Sequence, residues 1–158
     1  MPKAIHPIAG ALALLMIVTF WISTVITEVF GSPGAVVAVK SAIPWAFLLL
    51  IPALAAAGGS GIRLAKGGAG GLAGEKRRRM PLIAANGLIV LVPAALFLAA
   101  KARAGDFDGA FYAVQAVELI AGAVNITLLG LNMRDGLRMT GRLPKPTPSS
   151  KPEQETPT

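Results

Sequence analysis

Residues 109–133 read GAFYAVQAVELIAGAVNITLLGLNM, an apolar run in which Glu118 is the only charged side chain. About 20 mostly apolar residues are enough for a helix to cross a bilayer core, so this run predicts a transmembrane helix. Within it, seven residues follow one another at alternating steps of four and three: Phe111, Gln115, Glu118, Gly122, Asn125, Leu129 and Asn132. This spacing places them on one helix face, which we call the polar stripe. Because lipid cannot satisfy polar groups, the stripe is predicted to face the bundle interior or a second subunit.

Three further apolar runs have the length of a membrane span, at about 8–30, 35–57 and 81–100. The chain is 54% hydrophobic and 15% charged, whereas about a quarter of the residues in a soluble domain are charged. The predicted fold is therefore an all-α membrane protein, a four-transmembrane-helix antiparallel bundle. Residues 1–140 form this domain, and residues 141–158, rich in proline and charge, are predicted to be a disordered cytoplasmic tail. Cysteine is absent from the sequence, which excludes disulfides and thiolate metal sites.

The formal net charge of +7 is unevenly distributed. Lysine and arginine are concentrated in the glycine-rich loop 58–79 and after Met133, while the connection 101–108 is balanced. Since basic residues in short loops stay in the cytoplasm, both termini are predicted to be cytoplasmic in a multi-pass membrane protein. The same residues would meet anionic lipid at the cytoplasmic face. This explains the basic charge without nucleic acid as a partner.

Polar residues within the spans predict an intramembrane polar network. Glu28 and Lys40 flank the first turn at similar depth, which predicts an ion pair on this hairpin. Asn86 and Asn125 share a depth in the other half of the bilayer, which predicts a hydrogen bond between them. Glu118, the deepest acid, is expected to be protonated. Its carboxyl group would then donate a hydrogen bond to the amide oxygen of Gln115, one helical turn away on the stripe.

Cofactor chemistry has one candidate in the sequence. His6, the only histidine, lies near the start of the first span, and Met80 begins the third span on the same side of the membrane. Four-helix bundles can hold a haem near one end through such ligands, so a b-type haem protein using His6 and Met80 is an alternative prediction. The leading prediction has no cofactor. No motif indicates a metal site or a catalytic group.

Three stretches carry a resemblance: HPIAGALALLMIVTFWISTVITEVFGS (6–32), RMPLIAANGLIVLVPAALFLAA (79–100) and FYAVQAVELIAGAVNITLLGLNMRDGLRMTGR (111–142). They resemble small bacterial inner-membrane proteins with four spans. The resemblance extends over most of the chain to Arg142. It implies a fold and a membrane location, and it implies no activity, cofactor or functional residue.

Two function classes follow from these observations. The leading hypothesis is a non-enzymatic integral membrane protein, an accessory or self-associating subunit whose polar stripe packs within a homo-oligomer or a larger complex. The alternative is proton or cation translocation through a polar interior formed by Glu28, Lys40, Gln115 and Glu118.

Overall fold

The computed structural model describes residues 2–64 and 72–144, which are helical apart from short connections and contain no strand. The elements are α1 (Pro2–Phe30), α2 (Pro33–Leu64), α3 (Leu72–Ala85), a π-helical segment (Asn86–Leu91), α4 (Val92–Ala104) and α5 (Gly109–Met139). The third apolar run is thus covered by α3, the π-helical segment and α4 in succession, which we call the third span. The predicted tail from residue 145 and the centre of the glycine-rich loop, residues 65–71, lie outside the described residues.

Four stretches of helix are long and apolar enough to cross a membrane: His6–Phe30, Pro33–Ser60, Arg78–Ala104 and Gly109–Met139. They match the four runs predicted from the sequence, with α2 and α5 continuing several residues further. Among the 18 most apolar consecutive residues of each span, only 17% to 28% are buried inside the bundle. Large side chains such as Trp45, Leu48 and Ile89 are more than 70% exposed. Lipid is the environment in which such surfaces are stable, and the four helices indicate a membrane protein.

The four spans form a ring in which each packs against two neighbours. α1 packs on α2 and α5, and the third span packs on the same two helices. α2 and α5 therefore lie diagonally across the bundle. Ser41 near the start of α2 meets Arg103 near the end of α4, and His6 near the start of α1 meets the last turns of α2, so neighbouring spans run antiparallel. The predicted antiparallel bundle is confirmed.

Tight turns define one end of the bundle, which we call the hairpin end; the opposite end, with His6, Arg79 and Met139, is the terminal end. At the first turn, a Cβ on Gly31 would lie 2.6 Å from the Thr27 carbonyl oxygen, so only glycine fits. Pro33 then starts α2 with the φ that a first helical residue needs. At the second turn, Gly105 has a φ of 73° and ends α4, while the Asp108 carboxylate accepts a hydrogen bond from the Phe111 N–H and caps α5.

The π-helical segment lies just before Pro93 and replaces a regular α-helical turn. Proline has no N–H and its ring crowds the carbonyl four residues earlier, so a wider turn relieves both problems. The Val92 N–H correspondingly donates to the Gly87 carbonyl, five residues back. The segment begins at Asn86, whose side chain enters the bundle at this point.

Candidate functional site

The polar stripe of α5 lies in the bundle interior. Six of its seven residues are buried, and the seventh, Glu118, has 12% of its side chain exposed. α5 is a continuous helix, so residues spaced by alternating steps of four and three lie on one face. This face packs against α1 and the third span. Of the two locations left open by the sequence, the interior of the chain's own bundle is the one observed.

The central feature of the site is an ion pair across the bundle diagonal. The Lys40 ammonium on α2 donates to Glu118 Oε2 on α5, and Lys40 is only 1% exposed. Gln115 Nε2 donates to the same carboxylate oxygen at 3.3 Å. Because α2 and α5 are not neighbours in the ring, this pair crosses the middle of the bundle at its hairpin half. A buried charge needs such a partner, since burial of an isolated ion costs several kcal/mol.

The predicted Glu28–Lys40 ion pair is wrong. Lys40 uses its ammonium on Glu118, and Glu28 Oε1 is buried with no hydrogen-bond partner among the described residues. Glu28 nonetheless lies within electrostatic range of both groups. The prediction was based only on the similar depth of Glu28 and Lys40 on adjacent helices. The rotation of α2 about its own axis, which the packing decides, turns Lys40 across the interior instead of along the hairpin.

The predicted arrangement around Glu118 also needs correction. The Gln115 amide oxygen was expected to accept a hydrogen bond from a protonated Glu118, whereas Gln115 Nε2 donates to the carboxylate and Oε1 is buried without a partner in the described structure. Glu118 accepts hydrogen bonds from two donors, Lys40 and Gln115. The acid left without a donor is Glu28.

The expected hydrogen bond between Asn86 and Asn125 is present. Asn86 Nδ2 donates to Asn125 Oδ1 at 2.9 Å and to the Ala121 carbonyl at 2.8 Å. Asn125 Nδ2 donates in turn to the Ile83 carbonyl at 3.5 Å. The π-helical turn at Asn86 brings the third span and α5 together here, so this pair ties a locally irregular helix to the stripe.

A second ion pair, at the terminal end, was missed in the sequence. Arg79 Nη1 donates to Asp135 Oδ2 at 2.6 Å, and Asp135 is 1% exposed. Arg134 Nε lies 3.6 Å from the other oxygen of the same carboxylate. Asp135 follows Asn132 by three residues, one short of the next step of four, and still lies on the buried side of α5. That spacing was the available signal, but the segment after Met133 was interpreted only as a basic flank.

The close approach of α1 to α5 was also missed. Trp21 Nε1 donates to the Leu119 carbonyl at 2.9 Å, and a Cβ on Gly122 would lie 2.8 Å from Trp21 Cδ1. The absence of a side chain at Gly122 therefore leaves room for the Trp21 ring against the stripe. This contact holds α1, and with it Glu28, against α5.

His6 is engaged with the end of α2. Its Nδ1 lies 2.9 Å from the Ala57 carbonyl oxygen and 3.2 Å from Ser60 Oγ, and Met80 is partly buried. The haem hypothesis on His6 and Met80 stays a prediction, which an absorption spectrum of the purified protein would test. Within residues 2–64 and 72–144, no group of three or more histidine and acidic side chains is placed to hold a metal ion.

Comparison of the chain with protein families, with curated proteins and with solved structures found no match. The assignment of a role therefore depends on the geometry described above.

Proposed function

We propose that this membrane protein translocates a proton or another small cation through the polar interior of its four-helix bundle. The observation that carries the proposal is the buried diagonal pair Lys40–Glu118 with the unpartnered Glu28 carboxylate oxygen beside it. The proposal involves no catalysed reaction. It favours the translocation hypothesis over a purely structural subunit.

The number and position of the charges support this role. Ionisable groups within a span are costly and typically mark ion pathways. A structural clasp needs one acid and one base on neighbouring helices, whereas here the base is paired across the bundle axis with Glu118 and a second acid, Glu28, lies within electrostatic range of both. The second acid has no stabilising hydrogen bond in the described structure, so fold stability gives no reason for its presence.

Polar groups continue from this site along α5 to the terminal end. Asn125, Asn132 and Asp135 lie on the same face, all buried. Both side-chain atoms of Asn132 and Oδ1 of Asp135 have no hydrogen-bond partner among the described residues. Buried polar atoms of this kind are usually satisfied by ordered water. Water at these atoms would extend the polar interior from Glu118 toward the terminal end, past Gly122 and Leu129 of the same stripe, and would supply the path that translocation requires.

The test is a flux assay on the full-length protein in lipid vesicles. A potassium diffusion potential drives cations inward, and a pH-sensitive dye in the lumen reports protons while Na⁺ uptake is followed separately. We expect Glu118→Gln to abolish the flux that the wild type shows. Asp106→Asn is the matched control, since Asp106 is an exposed acid at the hairpin-end turn. Equal flux in wild type and Glu118→Gln, with both variants folded by circular dichroism, would refute the proposal.

A second function, self-association, is supported by one exposed face of α2. Ala55, Ala56 and Gly59 are exposed, and no atom lies within 4 Å of a Cβ built on Gly59. Small residues at this spacing let two membrane helices approach closely, and this face is where a second copy would pack. Gly59→Leu should reduce dimer crosslinking in detergent, whereas Ala116→Leu, on an exposed face of α5, should leave it unchanged. Monomeric wild-type protein would exclude this function.

We further propose the orientation with both termini in the cytoplasm of a bacterium. Several arginines lie at the terminal end, among them Arg78, Arg79, Arg134, Arg138 and Arg142, while the hairpin end pairs Lys101 with Asp108. This asymmetry supports the orientation through the retention of basic residues on the cytoplasmic side. A phosphatase fused after Arg142 should be inactive, and periplasmic activity of that fusion would reverse the assignment.

A further inference from the structure

We infer that the translocated cation is a proton and that Glu28 is the side chain that binds it. This inference rests on the proposed function and names its substrate. It follows from the count of charges in the triad formed by Glu28, Lys40 and Glu118, and from the hydrogen bonds that each member makes.

The charge count predicts one bound proton. With both acids ionised, the triad carries one positive and two negative charges, at a place where Lys40 is 1% exposed, Glu118 is 12% exposed and Glu28 Oε1 is buried. Burial of an uncompensated charge is strongly unfavourable, and an acid in such a place becomes neutral instead. One proton on one of the two acids makes the triad electrically neutral.

The hydrogen bonds select Glu28 as the protonated acid. Glu118 Oε2 accepts from both Lys40 and Gln115, and these donors stabilise a carboxylate. Glu28 Oε1 is buried without any donor in the described structure. Gln115, only 4% exposed, also leaves its Oε1 without a donor, so an acceptor for a proton-bearing group or a bridging water is present in the same polar cluster.

Other charged groups at this end do not compensate Glu28. On α4, Lys101 is bound to Asp108 at 2.7 Å and Arg103 to Ser41 Oγ at 3.3 Å. α4 belongs to the third span, which lies diagonally opposite α1. The groups that act on Glu28 electrostatically are Lys40 of α2 and Glu118 of α5.

A metal cation fits the triad poorly. Hard cations require several oxygen ligands, six to eight for Ca²⁺, and the triad with Gln115 offers few oxygens that are not already bound. The Lys40 ammonium occupies the carboxylate that a metal ion would need and repels a second cation. A proton needs one oxygen and removes the surplus charge.

The triad can pass protons by exchange of the lysine between its two acids. When the proton leaves Glu28, the new carboxylate competes with Glu118 for the Lys40 ammonium. If Lys40 bonds to Glu28, the Glu118 carboxylate loses its cation and takes up the next proton. Each step moves one proton between a carboxyl oxygen and water, and the triad returns to neutrality every time.

Infrared spectroscopy of the full-length protein in vesicles tests the count. The carbonyl band of protonated carboxyl groups at neutral pH should correspond to one group in wild type. It should vanish in Glu28→Gln and in Glu118→Gln, since one acid then balances Lys40, and should double in Lys40→Met. Asp106→Asn, at the exposed hairpin-end turn, should leave the band unchanged. Absence of the band in wild type would overturn the inference.

The conservative variants identify the acid. Glu28→Asp should shift the band, whereas Glu118→Asp should leave it in place; the reverse result assigns the proton to Glu118 and overturns the choice of Glu28. The flux assay separates this inference from the proposed function. A Na⁺ flux that Glu118→Gln abolishes, with no carboxyl band, retains translocation and refutes the proton. A wild-type band without flux of any cation retains proton binding and refutes translocation.

Discussion

The two ends of the bundle stabilise a buried carboxylate of α5 in different ways. At the hairpin end, Glu118 is paired across the bundle diagonal with Lys40, and a second acid, Glu28, lies within electrostatic range of the pair. At the terminal end, Asp135 is paired with Arg79 of a neighbouring span. Arg134, half exposed, lies close by, so bases exceed acids there.

The difference shows which end depends on a single cation. Removal of Arg79 leaves a second arginine beside Asp135, at an end where charges reach solvent. Removal of Lys40 leaves two acids in the bundle without any base. At the hairpin end, therefore, the charge balance of both acids depends on Lys40 alone.

Lys40→Met should give the largest loss of stability. Removal of one partner of a buried ion pair typically costs about 3–5 kcal/mol because the other charge is left uncompensated. Arg79→Met should cost clearly less, since Arg134 remains 3.6 Å from Asp135. Unfolding in mixed detergent micelles, followed by circular dichroism, measures both. Equal losses would remove the contrast between the two ends.

A pair of double-mutant cycles sharpens the assignment at the hairpin end. The coupling free energy between Lys40→Met and Glu118→Gln should lie in the range of about 0.5–3 kcal/mol expected for contacting groups. The coupling between Lys40→Met and Glu28→Gln should be smaller, because Glu28 makes no ion pair with Lys40 in the structure. The opposite ranking would restore the hairpin ion pair predicted from the sequence.

Gly122→Ala should loosen the contact that holds α1, with Glu28, against α5. The added Cβ would lie 2.8 Å from Trp21 Cδ1, and overpacking of this kind costs about 1–3 kcal/mol. Gly130→Ala on the same helix is the control, since nothing lies within 4 Å of its Cβ. A loss in Gly122→Ala no greater than in the control would mean that the ring moves aside freely.

The smallest expected effect is the pH dependence contributed by Asp108 at the hairpin-end turn. A hydrogen bond from Lys101, together with one from the Phe111 N–H, lowers the pKa of the Asp108 carboxyl below its usual range. A lowered folded-state pKa means that this stabilisation is present above the unfolded pKa, at about pH 4, and disappears as the pH falls through the folded value. Asp108→Asn should therefore flatten the acid limb of the unfolding curve. An unchanged limb would show that Lys101 is not held by Asp108.

Much of this architecture could be predicted from residue order. The four spans follow from the length of apolar runs, because a bilayer imposes one length on every helix. The buried face of α5 follows from its four-three spacing, and the Asn86–Asn125 contact from equal depth on neighbouring helices. Each of these predictions needs only the position of a residue along its own helix, which follows directly from residue number.

The tertiary structure decided which side chains on different helices contact one another. The same depth argument that suited Asn86 and Asn125 misassigned Lys40, because depth does not determine how a helix is rotated about its axis. For α1 and α5, the rotation follows from contacts such as Trp21 on Gly122, which no local pattern encodes. The sequence by itself thus determined that charges and amides would be buried in a four-helix bundle. Only the packing decided that Lys40 would face Glu118 across the diagonal and leave Glu28 without a partner.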